Sequence, residues 1–256
     1  MMALFSQQNH TAVQDVAAGK TDYVADVEAT VQKLSDLHDH IYPQLANNGL
    51  DLHPAKPHNN VVFESASTST KRGMIALQYM RSRPQAIRVE RLMGRDETSN
   101  NGIDARRHPV VEIRVTPSFL TVEMILSPYA WWDQQNFLGK MSVDRHRANF
   151  FELLKRLDDE TKIGFWRGVE LEEEYIKSSQ LYNQRIWNEW IDTFDAGKDW
   201  FRIGFWYAPE ADEISTDTIQ DELIRQLRGI YTLYEDLIWS SDNNYREFYN
   251  ASGSRY

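Results

Sequence analysis

The chain of 256 residues contains no cysteine. That absence removes disulfide scaffolding, thiol catalysis and every thiolate metal site. Long hydrophobic runs are missing too: no apolar stretch approaches the roughly 18 residues that suggest a membrane span. The start MMALFSQQNH lacks the basic and apolar regions of a secretory leader. The expectation is a cytoplasmic protein without a membrane partner. No glycine-rich phosphate loop, G-x-S-x-G elbow, H-E-x-x-H pair or dinucleotide fingerprint is present. The common cofactor enzymes are therefore disfavoured, and neither a cofactor nor a metal is assigned. An excess of positive charge is lacking as well. The formal net charge of −10 works against wholesale binding to nucleic acid or anionic membrane, since both are polyanions.

What is present points to a globular protein. Hydrophobic residues make up 41% of the chain and there are eight tryptophans, whereas disordered chains are poor in aromatics. A chain of this length buries a substantial core without staples. Val24, Val27, Val31, Leu34, Ile41 and Leu45 share one helical face and predict a long helix over 22–47, bent or broken near Pro43 and ended by Asn48-Gly49. From Val61 to Leu126 the period falls to two. MIALQYM, AIRVERLM, VVEIRV and FLTVEMIL read as half-buried strands, with a tight hairpin at Thr116 to Ser118. Helical period returns at Ser142, at Ser178 to Phe194 and at Asp217 to Trp239. The predicted fold is α+β: an antiparallel-rich curved sheet packed against amphipathic helices, with two C-terminal strand-helix units. It forms one domain over 1–256, with 1–21 and 240–256 peripheral or frayed.

Those two units carry near-identical stretches, KIGFWRG at Lys162 to Gly168 and RIGFWYA at Arg202 to Ala208. Each is apolar on both alternating faces, the pattern of an internal strand covered on both sides. Gly164 and Gly204 sit at matched places, where a ring or helix can approach the backbone closely. Phe165 and Phe205 are expected in the core, each costing about 3 to 5 kcal/mol on truncation to alanine.

Three constellations are candidates for chemistry. His38 and His40 in LHDH are two apart on a helix, point in different directions and do not chelate one ion; with His53 and His58 they read as surface histidines. Asp104, Glu112 and Arg114 resemble the Asp…Glu-x-Lys arrangement of the PD-(D/E)xK nucleases, but a guanidinium replaces the lysine and does not serve as a base. Arg88, Glu90, Glu112, Arg114 and Glu123 are expected on one solvated, salt-bridged sheet face. The third is basic. Lys71 to Arg107 holds nine basic and four acidic residues, and Arg81, Arg83, Arg95, Arg106 and Arg107 fall at turns. Beside Trp131 and Trp132 they form a candidate ligand-binding group able to clamp a phosphate or stack a base. The acidic ELEEEY at Glu170 to Tyr175 reads as a solvated turn that discourages edge pairing.

The stretches YPQLANNGLDLHPAK and HPVVEIRVTPSFLTVEMILSPYAWWDQQNF, with His53, Lys56 and His108-Pro109, resemble the bacterial YktB-like conserved proteins of unknown function over Val24 to Phe150. The resemblance implies strands curled around helices in one α+β domain, and no activity. The functional expectation is a non-catalytic interaction or ligand-binding protein with a protein or small-molecule partner. The alternatives are a nucleic-acid-associated protein or degenerate nuclease using 71–107 and Asp104/Glu112, and an unrecognised hydrolase.

Overall fold

A computed structural model describes residues 3–17, 24–56, 60–68, 73–94 and 102–245. In chain order the elements are helices α1 (Gln7–Ala17) and α2 (Val24–Asn47), strands β1 (His53–Pro54), β2 (Val61–Val62) and β3 (Ile75–Met80), then helix α3 (Arg83–Leu92). Strands β4 (Val110–Val115) and β5 (Leu120–Leu126) precede helices α4 (Trp131–Met141) and α5 (Asp144–Leu154). Strands β6 (Lys162–Phe165) and β7 (Tyr175–Lys177), helix α6 (Gln184–Ile191), strand β8 (Phe201–Tyr207) and helix α7 (Ile219–Leu237) complete the described part. The fold is α+β. All the described strands join one antiparallel sheet in the order β1-β3-β4-β5-β8-β6-β7, with β2 also paired to β3. None of the described helices is long and apolar enough to cross a membrane.

The twin GFW stretches turn out to be neighbours. β6 pairs antiparallel with β8, setting Ile163 against Ile203 and Phe165 against Phe201, and both strands are interior to the sheet. Trp166 and Trp206 are buried, with ring centroids 5.6 Å apart. Their glycines answer two different close approaches. A Cβ on Gly164 would meet the Trp166 ring at 2.5 Å, and one on Gly204 would meet the Val122 carbonyl of β5 at the same distance. Phe165 and Phe205 are only partly buried against the core. The large truncation cost expected of them belongs to Phe201, which is fully buried among Phe137, Phe150, Phe165 and Trp187.

One sheet face carries Leu77, Tyr79, Val111, Ile113, Val122, Met124, Ile203 and their neighbours against the helices, α7 and α2 foremost. α2 runs through Pro43 without breaking. The N-terminal segment is part of this core, since Phe5 and Val13 are buried in it. His38 is buried rather than solvated: its Nδ1 lies 2.8 Å from the Tyr79 hydroxyl, and its ring stacks on Tyr42 and Tyr79. His40 is exposed, His53 lies 2.8 Å from Asp51, and His58 lies outside the described residues.

AIRVERLM is helical, not a strand. Pro84 sits in the first turn of α3, Gln85 reaches back to the Ser82 N–H at 3.0 Å, and Ala86 and Val89 bury one face at a spacing of three. These helix-start signals outweigh four residues of alternation. Arg88 and Glu90 therefore leave the sheet. ELEEEY leads into a strand, with Glu172 to Glu174 exposed and Tyr175 beginning edge strand β7. The helix expected over 178–194 is shorter, and Tyr182 is 74% exposed outside it.

The other sheet face differs most from expectation. Glu112, Arg114 and Glu123 do share it, but they are fully buried, together with Arg202 of β8. Arg114 bridges Glu112 at 2.6 Å and Glu123 at 2.7 Å, and Arg202 bonds Glu123 at 2.5 and 2.7 Å. The face is sealed because its charges recruit a covering layer. Ser65 and the Ala66 N–H bind Glu112, and the arginines donate to the Gly168 and Val169 carbonyls. Trp166 lies over the Arg202 guanidinium at 4.3 Å.

Burial would raise the Glu123 carboxyl, but Arg202 and Arg114 overcome it and hold the group below its ordinary 4.5. A depressed folded-state value gives stability that is present above the unfolded value and is lost as pH falls through the folded one. Glu123→Gln is expected to cost about 3 to 5 kcal/mol in urea melts near neutral pH, as expected for an unbalanced buried charge. It should also flatten the fall in stability on acidification below about pH 4.5. A loss under about 1 kcal/mol with an unchanged acid limb would contradict this role.

Candidate functional site: an aromatic pocket on helix α4

The region of Trp131 and Trp132 is helical. α4 escapes a search for apolar period because its inward surface is partly polar. Asp133, Asn136 and Lys140, spaced three and four apart on one face, are all buried. Buried polar groups require partners, and these find them in the chain that leaves α7. The Asp133 carboxylate accepts the Trp239 N–H at 2.7 Å and pairs with Arg81, which donates to the Trp239 carbonyl at 3.0 Å. Asn136 donates to the Leu237 and Ile238 carbonyls at 3.1 and 3.3 Å and accepts the Tyr245 N–H at 3.0 Å. Lys140 donates to the Asp236 carbonyl and to Asn243. Asn243 in turn donates to the Glu235 and Ile238 carbonyls at 2.8 and 2.6 Å. The free carbonyls at the C-terminus of α7 are thereby satisfied.

This clamp fixes the walls of an open pocket of about 180 Å³, lined by Trp131, Trp132, Gln135, Trp239, Asn244 and Tyr245. Trp131 and Trp132 have ring centroids 5.4 Å apart at 46°, and Trp132 meets Trp239 edge-to-face at 5.9 Å and 76°. Trp131 is 47% exposed. Tyr245 lies directly on the α4 backbone at Gly139, where any Cβ would overlap its ring. Beneath the pocket the charges are neutralised or held in pairs. Burial draws the Lys140 ammonium below its ordinary value, with Asp236 at 3.5 Å acting the other way. Burial likewise lowers His108, 3.6 Å from Glu90, so the imidazole is neutral at pH 7.

Of the candidate residues, Arg81 is tied to the helix that carries Trp131 and Trp132 through Asp133, as a buried strut rather than a clamp. Arg83 is exposed at the start of α3, and Arg95 lies outside the described residues. Arg106 makes a two-pronged contact with Asp104 at 2.9 and 3.0 Å and sits over the Tyr129 ring at 5.5 Å. Arg107 is 3.9 Å from Asp104. Asp104 and Glu112 are not brought together: the first caps a short turn through the Arg106 N–H, and the second belongs to the sealed sheet face. Among the described residues no group of three His, Asp or Glu side chains is placed to hold a metal ion. Trp239 and Tyr245 escaped sequence reasoning because each lies at or past the end of a periodic segment. The spacing of Asp133, Asn136 and Lys140 was the available signal.

No protein-family model matches this chain, and comparison with curated proteins finds no match.

Gly139→Ala is the sharpest probe of the wall, since it displaces Tyr245 while leaving the apolar face of α4 untouched. The expected outcome is faster amide exchange over 239–245 with the rates of β4, β5 and β8 unchanged. Unchanged exchange at Trp239 and Tyr245 would show that the clamp does not depend on this contact.

Proposed function

We propose that the chain is a non-catalytic ligand-binding protein whose binding site is the pocket between α4 and the segment after α7. The observation that carries this reading is that buried ion pairs and hydrogen bonds are used to hold an exposed aromatic cluster in place. Asp133, Arg81 and Asn136 lock the backbone of Trp239 and Tyr245. Walls ordered before binding lower the entropy lost when a ligand arrives. Trp131, half in water beside two further indoles, offers an aromatic anchor of the kind that binding sites use.

The lining supports binding over catalysis. Among the described residues it offers indoles, carboxamides and one phenol, with no carboxylate, imidazole or ammonium to move a proton. The volume suits a compact ligand, being smaller than the roughly 300 Å³ at which drug-sized sites begin. The nucleic-acid reading draws less support. Among the described residues of the candidate group, Arg81 is buried in an ion pair and Arg106 is engaged by Asp104, so neither is offered freely to a phosphate.

A fragment panel read by tryptophan fluorescence and melting temperature tests the proposal. Ligands found in this way are expected to bind at least tenfold more weakly to Trp131→Ala, a variant whose own stability should lie within about 0.5 kcal/mol of the parent because the side chain is half exposed. Ligands indifferent to both Trp131→Ala and Trp239→Ala would place the binding site elsewhere.

A further inference from the structure

We propose that the pocket's occupant is a methylated ammonium group carried by a small molecule, an inference that rests on the pocket being the binding site. Ring arrangement is the first argument. A flat aromatic ligand is gripped best by parallel walls, whereas Trp131, Trp132 and Trp239 stand at 46° and 76° to their neighbours. Walls turned around a point fit a rounded group that touches several rings at once. Indole faces carry the strongest negative quadrupole of the natural side chains, and such sets of rings bind quaternary ammonium ions.

The second argument is the balance of hydrogen bonding. A primary ammonium needs acceptors for three N–H bonds, and among the described residues the lining provides no carboxylate. A quaternary trimethylammonium group, R–N(CH3)3+, has no N–H to satisfy, and ring faces replace part of its lost hydration by cation–π attraction. The size agrees: about 180 Å³ slightly exceeds the roughly 150 Å³ cavity that admits benzene.

Charge is the third. Among the described residues no cationic side chain lines the pocket. Among the described cations nearby, Arg81 is paired with Asp133 and Lys140 with Asp236, while Arg88 reaches the adjoining loop at Ser241, 3.5 Å away. Asp242 is exposed on that same loop, and the whole chain carries a net charge of −10. The described charges around the pocket therefore favour a cation over an anion.

Calorimetric titration of the full chain separates the alternatives. The probes are tetramethylammonium, choline, a trimethyl-lysine peptide and dimethylbutanol, the uncharged carbon isostere of choline. The expected result is choline binding at least tenfold more tightly than the isostere, with Trp131→Ala and Trp239→Ala each reducing choline affinity at least tenfold. Equal binding of choline and the isostere would overturn the cation assignment while leaving the pocket as a binding site. Failure of both choline and tetramethylammonium to bind would overturn it too, and the fragment panel would then decide the pocket reading by itself. A trimethyl-lysine peptide binding more tightly than choline would overturn the small-molecule source.

Discussion

The inward polar face of α4 is the constraint from which the site follows. Asp133, Asn136 and Lys140 are carried into the interior because Phe137 and Met141, on the same helix, must reach the core. Leaving any of the three unpaired would cost on the order of 1 to 3 kcal/mol, and more for the charged ones. Their partners are the last carbonyls of α7 and the backbone of Trp239, Asn243 and Tyr245. The end of α7 and the start of the tail are thus fixed by the polar chemistry of another helix. The pocket is the outer surface of that arrangement.

The second sheet face solves a related problem by another route. Two glutamates and two arginines lie side by side on β4, β5 and β8, where four like-sized apolar residues would have made a simpler core. Their spare donors and acceptors reach out to residues 65–66 and 168–169, so the ladder of charges holds two irregular segments that no strand or helix would order. Trp166 and Trp206 close the layer from the twin GFW strands. The repeat is one structural device used on two adjacent strands. Its glycines differ in what they admit, a ring in one case and a neighbouring backbone in the other.

Much of this architecture was legible wherever one periodicity ran unopposed. VVEIRV and FLTVEMIL alternate cleanly and are β4 and β5; the stripe from Ile219 to Leu237 is α7. Reading failed where two signals competed. In AIRVERLM a short alternation masked the helix start at Ser82-Arg83-Pro84, and in α4 buried polar residues broke the apolar stripe. The sealing of Glu112, Arg114 and Glu123 was not readable, because it depends on Arg202 and on loops more than 40 residues away in sequence. Two of the pocket's four described aromatic walls were legible: Trp131 and Trp132 stood out as a pair. Trp239 and Tyr245 join them only through the tertiary clamp, which no local pattern encodes.

Eight indole N–H groups make the central claim directly observable. In a nitrogen-15 spectrum of the tryptophan-labelled protein titrated with tetramethylammonium, the account predicts shifts in the indole resonances of Trp131, Trp132 and Trp239. The resonances of Trp166, Trp187, Trp190, Trp200 and Trp206 should stay in place. Shifts confined to the latter group, or no shift in any of the eight, would contradict it.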